Sequence, residues 1–305
     1  MDSSQLTLAL VTPARNEAAL IEATIRAVVA QTVRPVRWVI VSDGSTDGTD
    51  EIVKRYAAQH NWIEYLRMPE RKERHFGGKA IAFRSGYERL QDLDFDVIGN
   101  LDADITLAED HFAFFLEKFR QNPRLGVAGA PFREGSNQYN YRFTSIEHVS
   151  GACQLFRRNC FEEVGGYKPS EIGGVDLIAV TTARMVGWET RTFPERVCTH
   201  HRKMGSAERG PLKIAFMGGV ADYRLGMHPL WEAFRTPYQM TKSPLIIGGG
   251  FRFVGFFWAM ARGMRKVIPP KVEEFRRREQ MARLRASWRS FIPRFHPAST
   301  QREPS

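Results

Sequence analysis

The 305-residue chain is 43% hydrophobic and 26% charged, enough for one large domain or two smaller ones, with a net charge of +10. Its three cysteines, Cys153, Cys160 and Cys198, include no C-x-x-C pair, and the odd count speaks against a disulfide framework. A reducing, cytoplasmic setting fits. The charge is lopsided: through residue 201 there are 24 basic and 27 acidic side chains, and beyond it 20 and 7. That asymmetry predicts an anionic partner for the tail, either lipid headgroups or nucleic acid. The N-terminus, Met1-Asp2-Ser3-Ser4-Gln5, is not basic and runs into an apolar segment over 6–11. Such a segment is too short for a leader's core or a membrane span.

In chain order, residues 6–12 read as a buried strand that Pro13-Ala14-Arg15-Asn16-Glu17 breaks. A helix follows over 17–31, with Leu20, Ile21, Ile25, Val28 and Val29 at helical spacing. Residues 36–42 form a second strand, β-branched and continuous. The turn cluster 43–49 comes next, in which Thr46 or Asp47 can cap a helix over 50–59. A short strand over 63–67 and a charged loop over 69–76 lead to Gly77-Gly78-Lys79 and a helix over 80–90. The apolar strand Val97-Ile98-Gly99-Asn100-Leu101 then delivers Asp102-Ala103-Asp104. A helix over 109–121 and a strand over 126–131 complete this part. Alternating strands and helices with short links predict a mostly parallel sheet covered on both faces. Ligands bind such sheets beyond the carboxyl ends of the strands. The polar clusters at 13–17, 43–49 and 102–104 all follow strand ends, so they should meet on one rim.

Two carboxylates at the tip of a buried strand would repel each other and be poorly solvated. A divalent cation removes that conflict, and hard oxygen ligands suit Mg²⁺ or Mn²⁺ shared with substrate phosphates. Taken alone, the D-x-D triplet also reads as a surface turn. Asp43 suits a base or ribose edge and equally a turn or cap. Glu17 suits a nucleoside contact and equally a helix first turn. Arg15 suits phosphate oxygens and equally a solvated loop. Gly77-Gly78-Lys79 can admit a phosphate to backbone amides, but no Walker A loop and no G-x-G-x-x-G fingerprint is present.

Pro13–Glu17, Ser42-Asp43-Gly44-Ser45-Thr46-Asp47-Gly48-Thr49 and Asp102-Ala103-Asp104 together resemble a family 2 glycosyltransferase of the GT-A fold. Gly151-Ala152-Cys153-Gln154-Leu155-Phe156-Arg157-Arg158, then Phe161-Glu162-Glu163-Val164-Gly165-Gly166-Tyr167, match that family too, as do Gly187-Trp188 and Pro194-Glu195. The resemblance spans roughly residues 6–201. It implies a Rossmann-like α/β catalytic domain over 1–201 and inverting transfer of a sugar, of hexosyl type, from a nucleotide-diphosphate donor. It implies that Pro13, Ala14, Arg15, Asn16, Glu17 and Asp43 hold the nucleoside. Asp102 and Asp104 would hold the donor through ribose and metal-bridged diphosphate, with Ala103 between them, and His200 aligns with a histidine that similar enzymes place on the metal or the diphosphate. Lys79, from the Gly-Gly-Lys run, joins the donor-binding set.

Members of this family usually place a Glu-Asp pair at the start of a helix that ends in Gly-Trp, with the Asp as base. Counting back from Gly187 without gaps puts Asp176 at that position and Val175 where Glu is usual. A rival register puts Gly174 there and leaves no base, with Glu171 a weaker candidate. A helix tolerates gaps poorly, so the first register is preferred. Asp176 must reach the acceptor hydroxyl, although a helix N-terminal acid also explains it. His200-His201-Arg202 follows a strand expected over 195–199, and Arg202 suits phosphate. The Q-x-x-R-W signature of processive polysaccharide synthases is absent, which favours single-sugar transfer.

Residues 202–293 read as a helical, basic and hydrophobic extension, and 294–305 as a disordered tail. The apolar stretch 244–261 contains Arg252 and suits an interfacial or re-entrant segment. After Pro269-Pro270, Met281, Leu284, Trp288 and Phe291 recur at helical spacing among Arg276, Arg277, Arg278, Arg283, Arg285 and Arg289, as for binding anionic lipid. No motif supports nucleic acid. The expectation is an enzyme on the cytoplasmic face of the cell membrane, peripheral or re-entrant, acting on a lipid-linked acceptor for an exopolysaccharide or envelope glycan. The alternatives are an inactive nucleotide-sugar-binding scaffold and a nucleotidyltransferase.

Overall fold

The computed structural model describes residues 5–70, 77–134, 145–202 and 210–291. Residues 71–76 of the charged loop and the tail 294–305 lie outside the described residues. The chain divides into two compact units, 1–208 and 209–305.

In the first unit, β1 (Leu8–Ala14), α1 (Ile21–Val29), β2 (Arg37–Asp43), α2 (Thr49–Gln59), β3 (Ile63–Met68), α3 (Gly78–Glu88) and β4 (Val97–Leu101) follow the alternation read from the sequence. Then come β5 (Ile105–Thr106), α4 (His111–Gln121), β6 (Leu125–Gly129) and β7 (Phe132–Arg133). The unit ends with β8 (Cys153–Arg157), α5 (Arg158–Glu163), α6 (Val175–Met185), β9 (Glu189–Thr192) and β10 (Cys198–His200). The main sheet has the order β3-β2-β1-β4-β8-β6-β9, and a small sheet has the order β5-β10-β7. β1 pairs in parallel with both β2 and β4, whereas β8 lies antiparallel between β4 and β6. The sheet is therefore mostly parallel with one reversed strand. Alternate residues explain why both faces are covered. Leu8, Leu10, Trp38 and Ile40 pack into one apolar cluster, and their neighbours Ala9, Val11, Val39 and Val41 into another. Trp38 keeps its indole N–H satisfied by donating to Thr12 Oγ1 at 2.9 Å.

The strand expected over 195–199 begins only at Cys198. Pro194 has no N–H for a ladder, and Arg196 N–H closes a turn onto the Phe193 carbonyl at 3.3 Å. The antiparallel β8 was not apparent as a strand, because nothing in Cys153–Arg157 distinguishes it from other short apolar runs.

The second unit is helical: α7 (Pro211–Arg224), α8 (Pro229–Met240), α9 (Ile247–Ala261) and α10 (Pro270–Phe291). Pro at the first turn of α7 and α8 suits a position whose N–H has no helical partner. Among the described residues no helix is long and apolar enough to cross a membrane. Most of the apolar stretch 244–261 forms α9, which buries Gly249, Gly255, Phe256 and Ala259. Asp222 of α7 pairs with Arg252 of α9 at 2.7 Å. The α7 and α9 backbones approach so closely that a Cβ on Gly219 would overlap the carbonyl oxygen of Arg252. Gly219→Ala should therefore lower stability by about 1–3 kcal/mol or more, read as an earlier urea or thermal midpoint, since backbone has to move. A midpoint within error of wild type would count against this packing.

One expectation for the tail is corrected. Arg276, read as part of the basic face of the last helix, is buried. The inward stripe of α10 is Val272, Arg276 and Gln280, four residues apart, and the Arg276 guanidinium donates to the Leu225 carbonyl just past α7. A helix end leaves carbonyls without partners, and Arg276 supplies the donor there.

Candidate functional site

Two of the expected clusters are laced together at the ends of β1 and β2. Asn16 N–H donates to Ser45 Oγ at 3.1 Å, and Thr46 N–H returns a bond to Asn16 Oδ1 at 2.8 Å. Glu17 N–H donates to Thr49 Oγ1 at 2.8 Å, and Ala18 N–H to Asp47 Oδ2 at 3.0 Å. Asn16 takes a positive φ of 54°, a conformation that Asn tolerates better than most residues. Pro13 and Ala14 end β1, Arg15 follows them, and Asp43, buried, ends β2.

Arg202 joins these clusters to the acidic motif. Its guanidinium forms an ion pair with Glu17 and lies 3.8 Å from Asp104. Burial pushes the Glu17 carboxyl up to about 7, with Asp104 and Asp102 adding to the rise and Arg202 opposing it. For a carboxyl raised in this way, the stabilising protonated form is fully present below about 4.5 and is lost as pH climbs through about 7. Wild type should therefore lose more thermal stability between pH 5 and pH 8 than Glu17→Gln does. Parallel pH profiles of the two proteins would refute the assignment.

The two motif carboxylates are driven apart electrostatically. Burial lifts Asp102 above its ordinary value, against the pull of Lys79, with which it forms an ion pair. Burial also acts on Asp104, but His200 and Arg202 outweigh it and hold that carboxyl low. The His200 imidazole is raised, first by its hydrogen bond to Asp104 and then, against burial, by Glu134. Its Nδ1 lies 2.9 Å from Glu134 Oε1 and its Nε2 3.4 Å from Asp104 Oδ1. His201 instead meets Thr106 Oγ1 at 2.9 Å, so of the two histidines it is His200 that faces the acids.

These donors fit a divalent cation. Two carboxylates and an imidazole are suitable ligands, and a carboxylate behind the far ring nitrogen is the usual support of a metal-bound histidine. With Nδ1 donating to Glu134, an Nε2 lone pair would face Asp104, and a proton or cation between them relieves that opposition. The three ligands do not converge: Asp102 turns to Lys79, whereas Asp104 meets His200 and Arg202.

Gly151 ties this end of the site to the expected base. Its carbonyl accepts from Lys79 Nζ at 3.2 Å and from Asn100 Nδ2 at 2.5 Å, and its N–H donates to Asp176 Oδ2 at 3.1 Å. Asp176 sits in the first turn of α6, behind Gly173 and Gly174 at φ 81° and 74°. Those left-handed positions favour glycine and turn the chain sharply into the helix. A Cβ on Gly151 would lie 2.9 Å from Asp176 Oδ2, so only glycine fits there without moving the carboxylate. Gly151, Asn100 and Glu134 were not identified from the sequence. A backbone carbonyl used as a hub leaves no compositional trace, and Glu134 directly follows the two-residue β7, far from His200 in sequence.

Comparison with known proteins bears on this geometry. The sequence model described as "Glycosyl transferase family 2" matches residues 9–165, just over half of the chain. The chain belongs to glycosyl transferase family 2. Among curated family relatives, a poly-beta-1,6-N-acetyl-D-glucosamine synthase of Staphylococcus epidermidis is 22% identical over 203 residues, covering 60% of this chain and 47% of that protein. The synthase of Staphylococcus aureus (strain COL) is 24% identical with the same coverage. The chain thus spans about half the length of these curated relatives. Among solved structures, a mannosyltransferase from Pyrobaculum calidifontis in complex with GDP-Man and Mn²⁺ aligns with TM-score 0.57 at 19% identity. That alignment covers 95% of this chain and 82% of the other. S. aureus TarS 1-349 with UDP-GlcNAc aligns with TM-score 0.52 at 13% identity, covering 83% and 72%. At such identities the structural likeness establishes the fold, the GT-A arrangement expected of a family 2 glycosyltransferase.

Proposed function

We propose that the chain moves a single hexosyl unit, with inversion, from a nucleotide-diphosphate sugar to a hydroxyl acceptor, and that the acceptor is a lipid-linked glycan of an exopolysaccharide or the cell envelope. The observation that carries this reading is the continuous link Asp176–Gly151–Lys79–Asp102, which couples a helix-borne carboxylate to the acidic motif. Residues 13–17 and Asp43 would hold the nucleoside, and Lys79 and Arg202 would offer positive charge to the diphosphate. Asp102, Asp104 and His200 would hold Mg²⁺ or Mn²⁺, which when bound supplies Lewis-acid stabilisation of the leaving nucleoside diphosphate. The pocket aligns the acceptor hydroxyl with the anomeric carbon, and Asp176 accepts the hydroxyl proton as the new bond forms. Mn²⁺ in the archaeal mannosyltransferase structure, and UDP-GlcNAc in TarS, support a metal and a nucleotide-sugar donor of this chemistry.

The test is release of nucleoside diphosphate from a panel of nucleotide sugars with Mg²⁺ or Mn²⁺, using membranes as the acceptor source. Metal-dependent release and a labelled lipid product are expected. A donor that binds and never turns over with any acceptor would favour the scaffold alternative.

The second unit supports a membrane partner. Leu245, Ile246 and Ile247 at the entry to α9 are 68%, 68% and 55% exposed, and Val254 and Trp258 continue along the helix. Lys242 and Arg262 flank them, a mixture of apolar and basic side chains that suits an anionic interface on the cytoplasmic side. Replacing Leu245 and Ile246 by Asp should weaken co-sedimentation with anionic vesicles by about tenfold or more, because two exposed apolar side chains would no longer enter the interface. Unchanged co-sedimentation would remove this surface from the reading.

A further inference from the structure

His111, Cys153 and Cys198 form a cluster apart from the acidic site. They open α4, β8 and β10 respectively, so three separate elements bring them together. All three are essentially solvent-free, at 0%, 1% and 1% exposure. His111 Nε2 lies 3.5 Å from Cys153 Sγ and 4.0 Å from Cys198 Sγ, and the three ligand atoms fall within 4.8 Å of one another. Among the described residues this is the one group of three such side chains whose ligand atoms converge.

Hydrogen bonding alone accounts poorly for the cluster. An imidazole inside an aromatic core, against Phe112 and Phe115, needs strong partners to offset its desolvation. At Nε2 it meets two thiols, which are weak donors and acceptors. The His111–Cys153 separation instead matches a shared cation, and Cys198, at 4.0 Å from the same nitrogen, is within a small inward shift of it. An ion about 2.3 Å from sulfur and about 2.0–2.1 Å from nitrogen in tetrahedral geometry puts S and N about 3.5–3.6 Å apart.

We propose that His111, Cys153 and Cys198 bind a thiophilic d¹⁰ cation, zinc(II) or copper(I), at a structural site distinct from the donor-metal site. Two thiolates and an imidazole select such ions over Mg²⁺ or Mn²⁺, which take the oxygen-rich donor set. Binding releases the two thiol protons to solvent. The ion would cross-brace the rim of the active site. Cys153 pairs opposite Leu101, next to Asp102, and lies two residues from Gly151, while Cys198 lies two residues before His200.

The test uses the full chain, purified from cells grown with zinc or with copper and dialysed, with bound metal measured by elemental mass spectrometry. About one zinc or copper per chain is expected, and the growth condition that loads it identifies the ion. Cobalt(II) replacing zinc should give intense thiolate charge-transfer absorption. Metal and absorption should vanish in Cys153→Ser and His111→Gln, and persist in Cys160→Ser and Asp104→Asn. If the variants do not fold, wild type decides. Modification of its thiols under denaturing conditions should release one equivalent of metal, and no release would overturn the site. A metal-free wild type without the cobalt band, a band lost in Asp104→Asn but kept in Cys153→Ser, or an intact mass showing a Cys153–Cys198 disulfide would each overturn it as well.

Discussion

Asp176→Asn should abolish sugar transfer while leaving donor binding intact, with a loss of about 10²–10⁴-fold in turnover. The amide keeps the size and shape of the carboxylate and can still face the Gly151 N–H through its oxygen, so the local fold should hold. What it lacks is the ability to accept a proton from the acceptor hydroxyl. Single-turnover transfer and donor titration, measured on the same preparation, separate the two effects. The expected pattern is an unchanged donor dissociation constant with a collapsed rate. A mutant as active as wild type would move the base elsewhere, and Glu171 would be tested next. Gly151→Ala should act in the same direction, because the added methyl meets the Asp176 carboxylate at 2.9 Å and has to displace it.

On the proposed function, Asp104→Asn should cost about 10²–10³-fold in metal-dependent donor turnover, because the substitution would remove a ligand charge from the metal that steadies the leaving diphosphate. Its effect should reach beyond the metal. Asp104 is the largest influence raising the His200 imidazole, and it also lies beside Arg202. Without that carboxylate, His200 should titrate at lower pH, a shift that NMR of the imidazole can follow. Glu134→Gln should move the same resonance by a smaller amount. Excess Mn²⁺ should rescue Glu134→Gln better than Asp104→Asn, since on the proposed reading Glu134 supports the histidine and Asp104 would itself be a ligand. Equal turnover of Asp104→Asn and wild type across a metal titration would remove Asp104 from the site.

How much of this was legible beforehand depends on how locally each feature is encoded. The strands of β1, β2 and β4 and the polar runs behind them are written in consecutive residues, so the rim and its acids could be named. Val97–Leu101 was located to the residue, because a mostly apolar run bounded by Asp at both ends leaves little freedom. The antiparallel β8 between β4 and β6 was not legible. Its neighbours are chosen by long-range pairing, which the five residues Cys153–Arg157 do not specify. The same limit applies to the last helix, where Arg276 was read with the basic face of a lipid-binding amphipathic helix and the structure buries it with Val272 and Gln280. A buried arginine is inward only because a carbonyl elsewhere needs its donor.

Short-range patterns and an ordered set of motifs suffice for the family, the alternating sheet and the carboxylates at strand ends. The partnerships depend on tertiary packing. Arg202 pairs with Glu17, Lys79 with Asp102, and Glu134 with His200, and the Gly151 backbone reaches both Asp176 and Lys79. His111, Cys153 and Cys198 likewise meet only once three elements have packed. Each pairing joins groups distant in the chain. Packing makes the choice: Asp102 and Glu17 are more buried than the cations they meet, and each takes whichever complementary group the fold brings within reach.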